Sequence, residues 1–145
     1  MKHGGFIDSV SGLCHFGEHM IFQGSEKYEP IFPIFNYFNG IAGDEINAMT
    51  GGVFQLYYIS LPFNYQYEKA IDFLADAFRY PLYLPNIIKN EIEAVNHEFY
   101  EKINSNIRER DIIRQLASPK TSYKGMSTGN NETLKKVKVN YYLKN

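Results

Sequence analysis

The chain has 145 residues, 15 Lys plus Arg against 16 Asp plus Glu and 44% hydrophobic residues, which suits one folded domain better than a disordered chain. The net charge of −1 argues against a general nucleic-acid binder, because neutralising phosphates takes a clustered excess of Lys and Arg. The sequence contains no apolar run near the ~20 residues that cross a bilayer, so we expect no membrane partner. It also contains no signal-peptide segment and only one cysteine, and we therefore favour a cytoplasmic location.

The first predicted element is a helix over about 12–22. Ser11 is suited to be its N-cap, and Gly24 stands where a glycine should end it. The apolar segment 30–38 that follows contains two prolines, so we expect at most a short helix opening near Pro33.

A β-hairpin is predicted next. Residues 40–44 are typical of a turn, and strands are predicted over 45–50 and 53–61, joined at Gly51-Gly52. The second strand is rich in Tyr, Ile and Leu, which indicates a buried strand.

Two helical patterns follow the hairpin. The first covers 65–79 and ends at Pro81, and the second is a long helix from about Pro85 to residue 117, with its proline in the first turn. The apolar face of the first helix consists of Ala70, Phe73, Leu74, Ala77 and Phe78, and that of the second consists of Ile88, Ile92, Val95 and Phe99. A polar loop is predicted over 118–133. The order helix, hairpin, helix, helix predicts an α+β fold.

The first helix contains the pattern His15-Phe16-Gly17-Glu18-His19. At 100° per residue, its two histidines and its glutamate lie within an arc of about 100° on one face. Imidazoles at i and i+4 can bind one metal ion, and a carboxylate beside them can reach water bound to that ion. The pattern is H-x-x-E-H, the inverted form of the zincin motif. The alternative is a helix whose histidines are ordinary surface or core groups.

A catalytic zinc ion needs a third protein ligand and an open position for water. The long helix offers four glutamates, and two of them, Glu91 and Glu98, lie within about 20° of each other at the edge of the apolar stripe. Helical spacing prefers this pair over Glu93 and Glu101 but does not rank its members. His97 points elsewhere on the helix and is expected to be a surface or supporting residue.

Several segments in the same order along the chain match the motifs of one family. They are His3-Gly4-Gly5 with the H-x-x-E-H helix, Asn47-Ala48-Met49-Thr50, Pro81-Leu82-Tyr83, the acidic segment 91–98 and Gly129-Asn130-x-x-Thr133-Leu134. Together they resemble the insulinase (pitrilysin, inverzincin) metallopeptidases over about residues 3–134. The resemblance implies an α+β fold with a mostly antiparallel sheet packed against helices, here as a single, partial catalytic domain over 1–145.

The resemblance also implies a zinc-dependent metalloendopeptidase that hydrolyses peptide bonds in peptides. His15, His19 and Glu98 correspond to the ligands of one zinc ion per chain, and Glu91 to a carboxylate that supports the site. Glu18 corresponds to the general base that activates the metal-bound water. Asn47 and Ala48 lie where family members pair a substrate strand with a sheet edge.

The resemblance implies a preceding strand, later strands and other domains that we expect to lie outside this sequence. We therefore expect a fragment or short paralogue that needs further insulinase-type domains or a partner subunit. The alternative is a catalytically inactive insulinase-like module that binds peptides or a partner subunit. Glu18 argues against that alternative, because a structural zinc site needs no base.

Overall fold

The computed structural model describes residues 10–29, 46–62, 67–117 and 127–137. Its elements are α1 (Leu13–Ile21), β1 (Ile46–Thr50), β2 (Gln55–Ile59), α2 (Tyr67–Arg79), α3 (Pro85–Lys102), α4 (Asn106–Ala117) and α5 (Asn131–Leu134). The strands pair antiparallel, which confirms the predicted α+β class. Six predicted features lie wholly or partly outside these ranges: the His3-Gly4-Gly5 segment, the short helix near Pro33, the turn at 40–44, the first residue of the 45–50 strand, the start of the 65–79 helix and most of the 118–133 loop.

The hairpin has the predicted pairing but a longer turn. Its register runs from Ile46 opposite Ile59 to Thr50 opposite Gln55, and the amide of Gly51 donates to the Phe54 carbonyl at 2.8 Å. The second strand therefore starts at residue 55 and not at 53. The prediction that this strand is buried is wrong, because only one of its faces packs against the core and Leu56 on the other face is 46% exposed.

Helix α1 begins differently from the prediction. Gly12 is the N-cap, with a φ of +85° and no side-chain cap, so the N-cap prediction for Ser11 is wrong. The local sequence favours serine, but a close contact with Gly129 determines the backbone here. At the other end the helix stops at Phe22, and Gly24 follows in a left-handed conformation with a φ of +118°.

Two apolar clusters lie on either side of α1. One joins α1 to β1 and α2 and contains Ile21, Ile46, Ala70, Phe73 and Ala77. The other joins α1 to α3 and α5 and contains Phe16, Met20, Ile88, Ile92, Val95 and Leu134. Burial of these side chains confirms the main part of both predicted apolar faces, although Phe78 is 50% exposed. Helix α1 is thus fixed between its neighbours, with α3 packed beside it.

The predicted long helix is two helices. α3 ends at Lys102 and α4 begins at Asn106, because Ser105 folds back on the end of α3. Both its amide and its hydroxyl donate to the Lys102 carbonyl, at 3.0 and 2.6 Å. Serine competes with the helical backbone in this way, which makes it a weak residue in a helix interior.

The end of the predicted polar loop is also helical. Asn130 caps α5 through a reciprocal pair of hydrogen bonds with Thr133, at 3.1 and 3.0 Å. Leu134, the last residue of this helix, is fully buried in the core. No helix among the described residues is both long and apolar enough to cross a membrane.

Candidate metal centre

The packing of α1 against α3 brings two histidines and a glutamate together. The Nε2 atom of His15 lies 3.5 Å from one carboxylate oxygen of Glu98, and the Nε2 atom of His19 lies 3.3 Å from the other. The ligand atoms of the three residues all lie within 4.8 Å of one another. His15 and His19 share a face of α1 because they are one helical turn apart, as the sequence pattern predicts.

Each imidazole is oriented by a partner on its other nitrogen. His15 Nδ1 lies 3.0 Å from the Thr128 carbonyl, and His19 Nδ1 lies 3.0 Å from Glu91 Oε2. A carbonyl can only accept, so His15 must carry its proton on Nδ1 and present the lone pair of Nε2. Such outer partners fix the ring orientation and tautomer of metal-binding histidines.

The two histidines have opposite electrostatic environments. Burial, together with the neighbouring His19, lowers the pKa of His15 to about 4. Burial also lowers the pKa of His19, but hydrogen bonds to Glu91 and Glu98 outweigh it and raise that pKa to about 9. At neutral pH the first imidazole is therefore uncharged, and the second holds a proton that a metal ion would have to displace.

Glu98 is held as a carboxylate. The hydrogen bond from His19 lowers the pKa of Glu98 to about 2 against the opposing effect of burial, and Lys102 adds to the lowering. The Lys102 ammonium lies 2.8 Å from Glu98 Oε2 and one helical turn away on α3. An ionised carboxylate between two imidazoles is the charge state in which a glutamate binds a divalent cation.

These three donors fit a zinc ion. Two histidines and a glutamate are a known catalytic zinc set that leaves one position open. Two donors bound at about 2.0–2.1 Å to a tetrahedral ion lie roughly 3.3 Å apart, and the two imidazole–carboxylate distances of 3.3 and 3.5 Å are close to that separation.

Glu18 lies on the same helix and is tied to the hairpin. Its Oε2 accepts a hydrogen bond from the Thr50 hydroxyl on β1. Gln55 on β2 donates to that hydroxyl oxygen at 3.2 Å and also to the Cys14 carbonyl of α1. Burial raises the pKa of Glu18, while the Thr50 hydrogen bond and His19 oppose the rise. A buried carboxylate with a raised pKa is a stronger base than an exposed one.

The other predicted residues lie outside the cluster of ligand atoms. Asn47 is exposed on β1, where its side-chain oxygen accepts the Ala48 amide at 2.8 Å. His97 points away from the site with 77% of its side chain exposed, and Glu101, 3.8 Å from it, is 67% exposed. Glu93 instead binds Lys135 and Asn131 near α5.

Three residues of this site were not assigned from the sequence. Thr50 and Gln55 support Glu18, and the Thr128 carbonyl supports His15. The alternation of β1 could have indicated Thr50, because it shares the inward face of that strand with buried Ile46. Every residue has a backbone carbonyl, so no sequence pattern could have indicated that of Thr128.

Comparison with known proteins identifies the family to which the chain belongs. The profile of the insulinase family, described as Peptidase family M16, matches residues 7–129. The chain therefore belongs to the insulinase family of metallopeptidases, which confirms the resemblance seen in the sequence.

Individual relatives agree with this assignment. The chain is 32% identical over 130 residues to the insulin-degrading enzyme of Drosophila melanogaster and 33% identical over 129 residues to human nardilysin, matches that cover 89% and 88% of the chain. The crystal structure of pitrilysin superposes on 97% of the chain with a TM-score of 0.81 and 29% identity. The matches span only 13%, 11% and 16% of these three larger proteins.

Proposed function

We propose that this chain carries the metal centre and the general base of a zinc metalloendopeptidase that hydrolyses peptide bonds in peptides. The observation that carries the proposal is the convergence of the His15 and His19 Nε2 atoms on Glu98. The hydrogen bonds of Thr128 and Glu91 support it, because they orient both imidazoles toward that carboxylate. Membership of a peptidase family supports the same reaction class.

His15, His19 and Glu98 would hold the zinc ion. When bound, zinc supplies a Lewis acid that lets water attack a peptide carbonyl at neutral pH. Glu18 would take the proton of that water. The Thr50 hydroxyl occupies Oε2 of Glu18, so Oε1 is the oxygen that would receive the proton and later return it to the leaving amine.

Strand β1 would bind the substrate. An extended peptide can add to a sheet edge through backbone hydrogen bonds, which tolerate many sequences. Asn47 and Ala48 belong to this strand, and the Ala48 amide already donates to the Asn47 side chain. A substrate that used this amide would first displace the Asn47 carboxamide, so the two residues would act together.

Further insulinase-type domains or a partner subunit would complete the enzyme. The hairpin exposes between 46% and 61% of four apolar side chains, Met49, Val53, Phe54 and Leu56. Adjacent apolar surface of this kind is typical of an interaction site. We therefore expect the isolated chain to associate or to cleave peptides weakly. A strictly monomeric chain that turns over peptides at ordinary enzyme rates would contradict this part of the proposal.

The test of the metal centre is zinc content after dialysis, measured by elemental analysis. The unaltered chain should retain one zinc ion, and the double variant His15→Ala, His19→Ala should retain none. His97→Ala is the matched control, because this exposed histidine lies on α3 outside the cluster and its loss should leave zinc content unchanged. Full zinc occupancy in the double variant would refute the ligand assignment.

The test of the activity is peptide cleavage by the chain together with the domains or subunit that complete it. Cleavage should disappear when a chelator removes the metal and should return with added zinc. A complete assembly that binds zinc and peptide without cleaving it would instead support an inactive, insulinase-like binding module.

A further inference from the structure

We propose that the backbone contact between Gly12 and Gly129 is a positioning device that holds the Thr128 carbonyl against His15 and thereby sets the zinc affinity of the site. The inference rests on the zinc site proposed above and deepens it, since it names the feature that orients one of its ligands. Gly12 precedes α1, and Gly129 precedes the cap of α5, so the contact joins two segments that are distant in sequence.

The contact leaves no room for a side chain on either residue. Both glycines are buried and have left-handed backbones, with φ values of +85° for Gly12 and +73° for Gly129. A Cβ atom on Gly12 would lie 2.2 Å from the Gly129 Cα, and a Cβ atom on Gly129 would lie 2.7 Å from the Gly12 Cα. An alanine at either position would therefore push the two segments apart.

Separating the segments would move the acceptor of His15. Thr128 directly precedes Gly129, and its carbonyl accepts the Nδ1 proton of His15 at 3.0 Å. His19 differs in this respect, because its acceptor is the side chain of Glu91. The orientation of His15 thus depends on the path of the backbone through residues 128 and 129.

The part of this segment that follows Gly129 is anchored to α3. Asn130 caps α5, the Asn131 amide donates to Asn96 Oδ1 of α3 at 3.0 Å, and Leu134 is fully buried beneath α1 and α3. The segment is therefore held against α3 by its own hydrogen bonds, and the glycine contact fixes its distance from the first turn of α1.

The experiment measures the zinc affinity of Gly129→Ala by competition with a chelator and its metal-free stability by urea unfolding. Zinc affinity should fall about 10–100-fold, which is the usual effect of losing an outer partner of a ligand. Gly24→Ala is the matched control, because Gly24 is also a buried glycine with a positive φ, at the opposite end of α1. It should also lose stability, because alanine disfavours a positive φ, and it should keep its zinc affinity.

A second measurement reports the tautomer of the His15 imidazole, which depends on its contact with the Thr128 carbonyl. In the metal-free chain, the ¹⁵N spectrum of the imidazoles should show His15 protonated at Nδ1, and Gly129→Ala should show a mixture of tautomers. Asn130→Ala is the second variant, because it loosens the same segment by removing a cap and leaves the glycine contact sterically intact. It should lower zinc affinity less than Gly129→Ala and keep His15 protonated at Nδ1, because the glycine contact is intact. If the alanine at position 129 prevents folding, a mixture of His15 tautomers in Asn130→Ala would refute the inference.

The outcomes separate this inference from the proposed function. An unaltered chain that binds no zinc would refute the proposed function, and the tautomer of His15 would still show whether the contact positions this ring. An unaltered chain that binds zinc, with Gly129→Ala binding equally well and keeping the Nδ1 tautomer, would refute the inference alone. Equal losses of zinc affinity in Gly129→Ala and Gly24→Ala would also refute it, because general destabilisation would then explain both.

Discussion

Replacing Leu134 by alanine should strongly destabilise the chain, although this residue lies in a helix of one turn. Leu134 is fully buried among residues of α1 and α3, the two helices that carry the proposed metal ligands. Removing its three outer carbons lowers the hydrophobic contribution to stability by about 2.4 kcal/mol, at roughly 0.8 kcal/mol per buried carbon. The cavity left behind adds to this loss, and partial collapse of the short α5 limits the addition, so we expect about 3 kcal/mol.

Leu116→Ala is the matched control. It is the same substitution on α4, at a side chain that is 76% exposed, so the stability should change by less than about 0.5 kcal/mol. Urea unfolding followed by circular dichroism measures both variants, and the melting temperature of Leu134→Ala should fall by about 6–12 °C. Equal stability of the two variants would refute the placement of Leu134 in the core.

Zinc adds a second measurement to this pair. A ligand that binds only the folded state contributes about 2.7 kcal/mol at a hundred times its dissociation constant. Leu116→Ala should gain this stabilisation in full. Leu134→Ala should gain less, because α5 anchors the segment whose Thr128 carbonyl orients His15, and each tenfold loss of affinity removes about 1.4 kcal/mol. An equal gain in both variants would mean that the core beneath α5 and the metal centre are independent.

The remaining predictions concern the metal centre. In the metal-free chain, NMR titration should place the midpoint of His19 well above that of His15. Because zinc must displace the proton of His19, zinc affinity should rise between pH 7 and pH 9. A His19 midpoint at or below 6.5 would contradict this prediction. Glu98→Gln should lower zinc affinity more than Glu91→Gln, whose loss should be about 10–100-fold, and the reverse order would exchange their roles. In an active assembly, Glu18→Gln should keep its zinc while turnover falls about 100-fold or more, and full activity would mean that another group is the base.

The site-bearing parts of the fold could be predicted because local patterns determine them. The spacing of His15, Glu18 and His19 on a helix fixes their common face, and the apolar stripe of α3 fixes the side on which Glu91 and Glu98 emerge. Helical spacing could not rank these two glutamates. Their different roles depend on how α3 packs against α1, with Glu98 opposite both Nε2 atoms and Glu91 opposite Nδ1 of His19.

The features that could not be predicted depend on contacts between distant segments. Ser11 has the better side chain for an N-cap, yet Gly12 occupies the position because its backbone must approach Gly129. The interruption after Lys102 could not be predicted either, because no proline or glycine marks it in the sequence, and only the structure shows Ser105 turning back on the helix end. A serine is only a weak sequence signal for such a break, because the surrounding structure decides whether its side chain competes with the helical backbone.

The interruption between α3 and α4 has a mechanical consequence. A continuous helix over residues 85–117 would be a rod of about 50 Å, and any load on its far end would tilt the carboxylate of Glu98. The turn at 103–105 divides this length, so α3 is a separate helix of 18 residues, about 27 Å long. Helix α4 exposes Ile112, Ile113 and Leu116 by 45%, 55% and 76%. The break therefore separates the apolar side chains that α4 exposes from the helix that carries Glu91 and Glu98.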